Sequence, residues 1–249
     1  MNKKIPKITV ITLTLGMFLF ILVPSSGASL RRVHRPPLGW VSLDLGYLSS
    51  PDLGSYRTYL NNYYFQQGST DRLSNFGGGV GMNFEYKSFF TPHFGYGFFF
   101  SFGSFSTDQV FNYYDDYSNP YQSYEEYNLK SARIGMDLSF SPINTRRSRV
   151  VPYFSAGGMI SSGTLEFLYT EVGQGARYDM SYRESTFNFG YRFEAGLVIP
   201  VGRRFAFKAV SRYSSSELNF DASFDSNRNI DIESNQWFVG GGLVYFYKL

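Results

Sequence analysis

The chain has 249 residues, with 23 lysines and arginines against 20 aspartates and glutamates, no cysteine, and 20% aromatic residues. Without cysteine it is neither a disulfide-framed scaffold nor a lipid-anchored lipoprotein. The near-balanced charge leaves no footprint for a nucleic-acid partner, and the length suits one domain.

The first element in chain order is an export leader. Lys3, Lys4 and Lys7 precede a charge-free apolar run from Ile8 to Val23, followed by Pro24 to Ala28. Ser26 and Ala28 occupy the −3 and −1 positions of a cut before Ser29. The run is short for a span of about 20 residues, so a cleaved signal peptide over 1–28 is predicted. Cleavage takes three lysines and no acid, leaving 20 basic and 20 acidic residues on 221. Residues 29–37 form a basic, proline-bearing lead-in (Arg31, Arg32, His34, Arg35, Pro36, Pro37), and the domain proper is 38–249.

From Gly39 onward large apolar residues recur at every second position, the signature of strands with two unlike faces. Strand one, Gly39 to Leu48, sets Val41, Leu43, Leu45 and Tyr47 against Ser42, Asp44 and Gly46. Strand two, about Asn75 to Tyr86, sets Phe76, Val80, Met82, Phe84 and Tyr86 against Gly77, Gly79, Gly81, Asn83 and Glu85. Strand three alternates Phe94, Tyr96, Phe98, Phe100 and Phe102 with Gly95, Gly97, Ser101 and Gly103. Strand four, about Leu129 to Phe140, opposes Ala132, Ile134, Met136, Leu138 and Phe140 to Arg133, Gly135, Asp137 and Ser139. Strand five begins at Val150, with Phe154, Ala156 and Ile160 facing away from Tyr153, Ser155 and Gly157. Strand six carries Phe187, Phe189, Tyr191, Phe193, Ala195, Leu197 and Ile199 on one face and Asn188, Gly190, Arg192, Glu194 and Gly196 on the other. Strand seven, Phe205 to Tyr213, pairs Phe207, Ala209 and Tyr213 with Lys208, Val210 and Arg212. Strand eight places Trp237, Val239, Leu243, Tyr245, Tyr247 and Leu249 in one register. No stretch after the leader shows helical periodicity, so an all-β chain is expected.

The connections sort by length and charge. Those after strands two, four and six are short and carry Lys87, Arg146, Arg147, Arg149, Arg203 and Arg204. The long ones, at about 49–74, 106–128, 162–185 and 214–235, collect Asp108, Asp115, Asp116, Glu125, Glu126, Glu171, Asp221, Asp225, Asp231 and Glu233. A soluble sandwich would not sort its loops in this way. The pattern predicts a transmembrane antiparallel up-and-down β-barrel of eight strands, with rings toward lipid and polar groups toward a narrow lumen. Ten strands is the alternative, if Thr164 to Tyr182 or Leu218 to Ile232 crosses the membrane. Charges on what would be their lipid face speak against it.

This pattern resembles the OmpA/OmpX-type family of small outer-membrane barrels. Its most specific element is the last strand, where Leu243, Tyr245, Tyr247 and Leu249 are similar to the C-terminal signal read by the barrel-assembly machinery. That signal usually ends in an aromatic residue, and Leu249 departs from it. The resemblance implies a monomer in the bacterial outer membrane, in contact with lipid and lipopolysaccharide. The peptidoglycan-binding domain that follows the barrel in OmpA is not expected.

Asp44, Glu85, Arg133, Asp137, Arg192, Glu194, Lys208 and Arg212 are expected to face inward, four acids and four bases. In a barrel this narrow such charges must be paired, forming either a salt-bridged plug or, alternatively, the lining of a porin-like path for ions or small solutes. Gly77 to Gly81 lacks the helix and the Lys-Ser/Thr of a phosphate-binding loop. The two histidines, His34 and His93, fall outside the outer rim, so catalysis, a metal site and a cofactor are not expected. Tyr113, Tyr114, Tyr117, Tyr121, Tyr124 and Tyr127, beside short polar and acidic residues, are candidates for contact with an extracellular ligand or for an interfacial girdle. Thr164 to Tyr182 is a candidate protruding hairpin whose edges could add a partner strand.

Overall fold

The computed structural model describes residues 39–115, 117–145, 148–222 and 228–247. The leader, the lead-in with His34, Asp116, Arg146, Arg147, Asp225 and Leu249 lie outside them. The described chain forms nine strands and one helix: β1 (Gly39–Leu48), α1 (Gly54–Gln66), β2 (Gly79–Phe89), β3 (Phe94–Tyr114), β4 (Pro120–Phe140), β5 (Val151–Gly173), β6 (Ala176–Pro200), β7 (Phe205–Ala222), β8 (Arg228–Glu233) and β9 (Gln236–Tyr247).

All pairings are antiparallel, and the sheet closes in the order β1-β2-β3-β4-β5-β6-β7-β9 and back to β1. Strand β8 continues β9 in one register against β7, with Glu217 opposite Glu233 and Ser214 opposite Gln236. The wall therefore has eight strands. The regions considered for a ten-strand count are hairpin extensions of β5–β6 and β7–β8, not extra crossings.

The register fixes the width. From Gly39 the perpendicular path runs through Ser88, Tyr96, Leu138, Ala156, Phe193, Tyr213 and Trp237. It returns to β1 at Ser49, whose N–H donates to the Trp237 carbonyl at 2.7 Å. A stagger of about ten residues over eight strands tilts them by about 40° and holds the backbone about 8 Å from the axis, a bore that side chains can fill.

The two faces of the wall are as unlike as the alternation requires. Leu43, Met82, Phe98, Phe100, Ile134, Leu138, Phe189, Phe193, Phe207 and Leu243 stand exposed on the outside. On β6 this band runs from Phe187 to Ile199, about 30 Å of height at that tilt, which matches a bilayer core. Inside, one end is floored by Trp40, Phe89, Val151, Tyr153, Val198, Ala206, Val244 and Phe246. The other end is roofed by a larger cluster that includes Leu48, Leu53, Phe105, Leu129, Leu165, Leu218, Phe220 and Ile232.

Three expectations need correction. The 49–74 connection contains α1, which buries Tyr56, Leu60 and Tyr64 at a spacing of four residues in the roof. No side chain caps its start, so packing rather than local propensity holds it. Much of the 106–128 connection is strand, because β3–β4 runs on as a tall hairpin, while β5–β6 extends as the hairpin expected over Thr164 to Tyr182. The β5–β6 turn is Gln174-Gly175, both at positive φ, the pairing a two-residue hairpin turn demands. Finally, β2 starts at Gly79 rather than Asn75, and Phe76 turns inward to the roof instead of facing lipid.

Candidate functional site

The site lies at mid-height in the lumen, between floor and roof. All eight expected charges are there, each at most 5% exposed. Lys87, expected at a short turn, belongs with them. It is fully buried, one alternation step beyond Glu85 on the inner face of β2. Extending the period of strand two by one more pair would have found it.

Four cations and four carboxylates interlock across the bore. Lys87 Nζ meets Asp137 at 2.9 Å, Glu85 at 3.4 Å and Glu194 at 3.8 Å, and donates to Ser155 Oγ at 2.8 Å and Ser139 Oγ at 3.1 Å. Arg192 reaches Glu85 at 2.6 Å and Asp137 at 3.7 Å, and pairs with Glu194 two residues along β6. Lys208 lies 2.9 Å from Asp44, 3.1 Å from Glu85 and 3.7 Å from Glu194. Arg212 contacts Glu194 at 2.7 Å and Asp44 at 3.1 Å. The Arg192 guanidinium stacks over Phe99 at 3.7 Å, and Tyr153 donates to Glu194 at 2.7 Å from the floor. Each charge thus exchanges its hydration for several opposite charges, the condition under which a buried ion pair is tolerated.

Glycine makes the room. A Cβ on Gly97 would come within 2.6 Å of Asp137 Oδ1 and 3.2 Å of Lys87 Cγ, and one on Gly242 within 2.5 Å of Asp44 Oδ1.

Arg133 is the exception. Asp137, its neighbour on the same face of β4, pairs with Lys87. Arg133 instead crosses the bore to β8–β9, donating to Ser234 Oγ at 2.7 Å and to Gln236 Oε1. Among the described residues no carboxylate lies within ion-pair distance of it. By contrast, Arg192 and Arg212 are brought together on Glu194.

The tyrosines divide. Tyr127 (0% exposed) and Tyr113 (8%) face the roof, so they are not contact residues. Tyr127 donates to Glu125 Oε2 at 2.7 Å, and Tyr113 to Glu171 Oε1 at 2.6 Å. Tyr64 of α1 donates to the other Glu125 oxygen at 2.5 Å and stacks on Phe111 at 4.0 Å between centroids, and burial pushes its phenol well above the usual range. Tyr121 stacks on Tyr113 and Tyr124 donates to Glu126, both half-buried. Tyr114 and Tyr117 remain exposed, Tyr117 at 87%. On the last strand, Leu243, Tyr245 and Tyr247 pair with Leu43, Val41 and Gly39 of β1 and so close the ring. His93 sits in the β2–β3 turn with Nδ1 2.9 Å from the Ser141 carbonyl, at the end of the barrel opposite the tall hairpins.

A closed eight-stranded ring, apolar outside and charge-paired inside, defines a membrane-spanning β-barrel protein. No family model matches the chain, and no curated protein does. Among solved structures it is similar to the outer membrane protein OprG from Pseudomonas aeruginosa, at 11% identity and a TM-score of 0.45 over 87% of this chain and 99% of that one. It is also similar to Neisserial surface protein A, at 10% identity and a TM-score of 0.42 over 84% and 97%. A third is Ail, the attachment invasion locus protein of Yersinia pestis, at 15% identity and a TM-score of 0.38 over 83% and 98%. These likenesses are of fold only; the barrel, its lumen and its lipid face rest on this chain's own register and burial.

Proposed function

We propose that the protein is a monomeric integral barrel of the bacterial outer membrane, with a plugged lumen and its working surface outside, meeting an extracellular partner or lipopolysaccharide. The observation that carries this reading is the sealed charge layer, with four cations paired to four carboxylates between an apolar floor and an apolar roof. A path for ions would have to break that layer and both apolar seals.

What is left for function is the outside. The β3–β4 and β5–β6 hairpins rise about 30 Å beyond the lipid-facing band. Tyr114, Tyr117 and Tyr178 are exposed near their tips. Strand β6 pairs with β7 only from Gly190 onward, so its 177–189 stretch has a ladder on the β5 side alone. Such an edge accepts an added strand, with exposed side chains supplying specificity.

Single-channel recording of the refolded protein in planar bilayers tests the plug. No steady conductance is expected. Steady conductance that changes on replacing Arg192 or Glu194 would overturn the plug and establish the narrow channel instead.

A further inference from the structure

Directly above the charge layer lies a second polar tier that the ion pairs do not satisfy. Following the stagger of the wall, Arg133 on β4, Ser161 on β5, Ser216 on β7 and Gln236 on β9 stand at nearly the same height. Contacts tie them together. Arg133 is cross-strand neighbour to Ser161 and reaches Ser234 and Gln236. The Ser234 N–H in turn donates to the Ser216 carbonyl at 2.8 Å. All four residues are more than nine-tenths buried, yet Arg133 Nε, Ser161 Oγ, Ser216 Oγ and Gln236 Nε2 have no hydrogen-bond partner among the described residues. Every one of these atoms can donate.

The charge points the same way. Between floor and roof the lumen holds five cations (Lys87, Arg133, Arg192, Lys208, Arg212) and four carboxylates (Asp44, Glu85, Asp137, Glu194). The four carboxylates are committed to the other four cations, so the excess positive charge resides on Arg133. The inner wall at this height is made of small residues (Gly103, Ser131, Gly190, Ser214), with Leu48 packed over Gly103 and the Met159 methyl over Gly190. An isolated ion in so dry a setting calls for a counter-charge, and four unmet donors call for an acceptor.

We propose that this tier binds one small monovalent anion of halide class, held by Arg133 Nε and Gln236 Nε2 with the Ser161 and Ser216 hydroxyls, which neutralises the barrel interior. Its recognition chemistry is a single, compact negative charge without directional lone-pair demands.

Bromide is the probe. Crystals of the mature, refolded barrel grown from bromide salt, measured at the bromine absorption edge, should show an anomalous peak within about 3.5 Å of Arg133 Nε, a contact distance for a charge-assisted donor to a large anion. In detergent micelles with gluconate as the only other anion, bromide NMR lines should broaden, and chloride should reverse it. Arg133→Gln should remove both signals. If that variant fails to fold, the double variant Ser161→Ala/Ser216→Ala carries the comparison, since it leaves every lumen ion pair in place. Bromide found only at the surface, water at the site, or broadening equal in wild type and variant would each overturn the proposal.

Discussion

Replacing Lys87 by methionine keeps the aliphatic stem and removes the ammonium. In the folded barrel that ammonium holds Asp137 at 2.9 Å, donates to two serines, and contributes to Glu85 and Glu194. Without it, Asp137 retains Arg192 at 3.7 Å as its only cation within ion-pair distance among the described residues. Stripping one partner from a buried pair costs about 3–5 kcal/mol, because the other charge stays desolvated. Set against a total stability of about 5–15 kcal/mol, K87M should lose about a fifth or more of it. The double variant K87M/D137L removes both charges, and an apolar pair of similar volume is near neutral in such places. The double variant should therefore be less destabilised than the two single losses added, by a coupling of at least about 1–3 kcal/mol. Urea unfolding of the protein in phospholipid vesicles measures this. Trp40 is the reporter, since it lies opposite Lys87 in register and packs in the floor 5.0 Å from Phe89. A K87M barrel within about 1 kcal/mol of wild type, or a double variant as unstable as the two single losses added, would refute the plug as a mutually compensating layer.

Two further outcomes are expected above the membrane. Tyr64→Phe leaves one oxygen of buried Glu125 without its 2.5 Å donor, a loss of about 1–3 kcal/mol for the roof, so hydrogen exchange in α1 should quicken by about tenfold or more while the urea midpoint of the barrel holds. Unchanged exchange in α1 would refute that contact as the helix anchor. Asp71 takes the Asn112 backbone N–H at 3.0 Å and its side-chain amide at 3.1 Å, and these bonds lower its carboxyl below the ordinary 3.8. Its folded value is depressed, so the contribution is full above about pH 4 and lost as pH falls through the lower folded value. Pinning of the 67–78 segment to β3 should persist at pH 5 and release on stronger acidification. Amide exchange at Asn112, corrected for intrinsic rates and flat down to pH 2, would contradict it.

The faces of the wall were readable without any structure. Phe94 to Phe102 and Phe187 to Ile199 are outside, while Arg192, Glu194, Lys208 and Arg212 are inside, because a period of two is a property of each strand alone. Helix α1 was not legible. Its buried Tyr56, Leu60 and Tyr64 are spaced for a helix, but Asn61, Asn62, Tyr63 and Phe65 blur the pattern, and what holds it is the roof supplied by strands far along the chain. Tyr113 and Tyr127 read as surface groups because the length of β3 and β4 was underestimated. Once the strands extend, the same alternation turns those rings inward.

The partners inside the bore are a different matter. Arg133 and Asp137 are close in sequence and on one face, yet Asp137 pairs with Lys87 from β2 and Arg133 spans to β9. Which charges meet depends on the stagger with which eight strands close, and that quantity belongs to the ring rather than to any segment. From the residues alone come the membrane-facing band, the inward set of charges and the eight-strand wall. Ring closure decides which carboxylates meet which cations, and that Arg133 is left over. Alternation is encoded locally, but electrostatic pairing across a lumen about 16 Å wide between backbones is encoded only in the register.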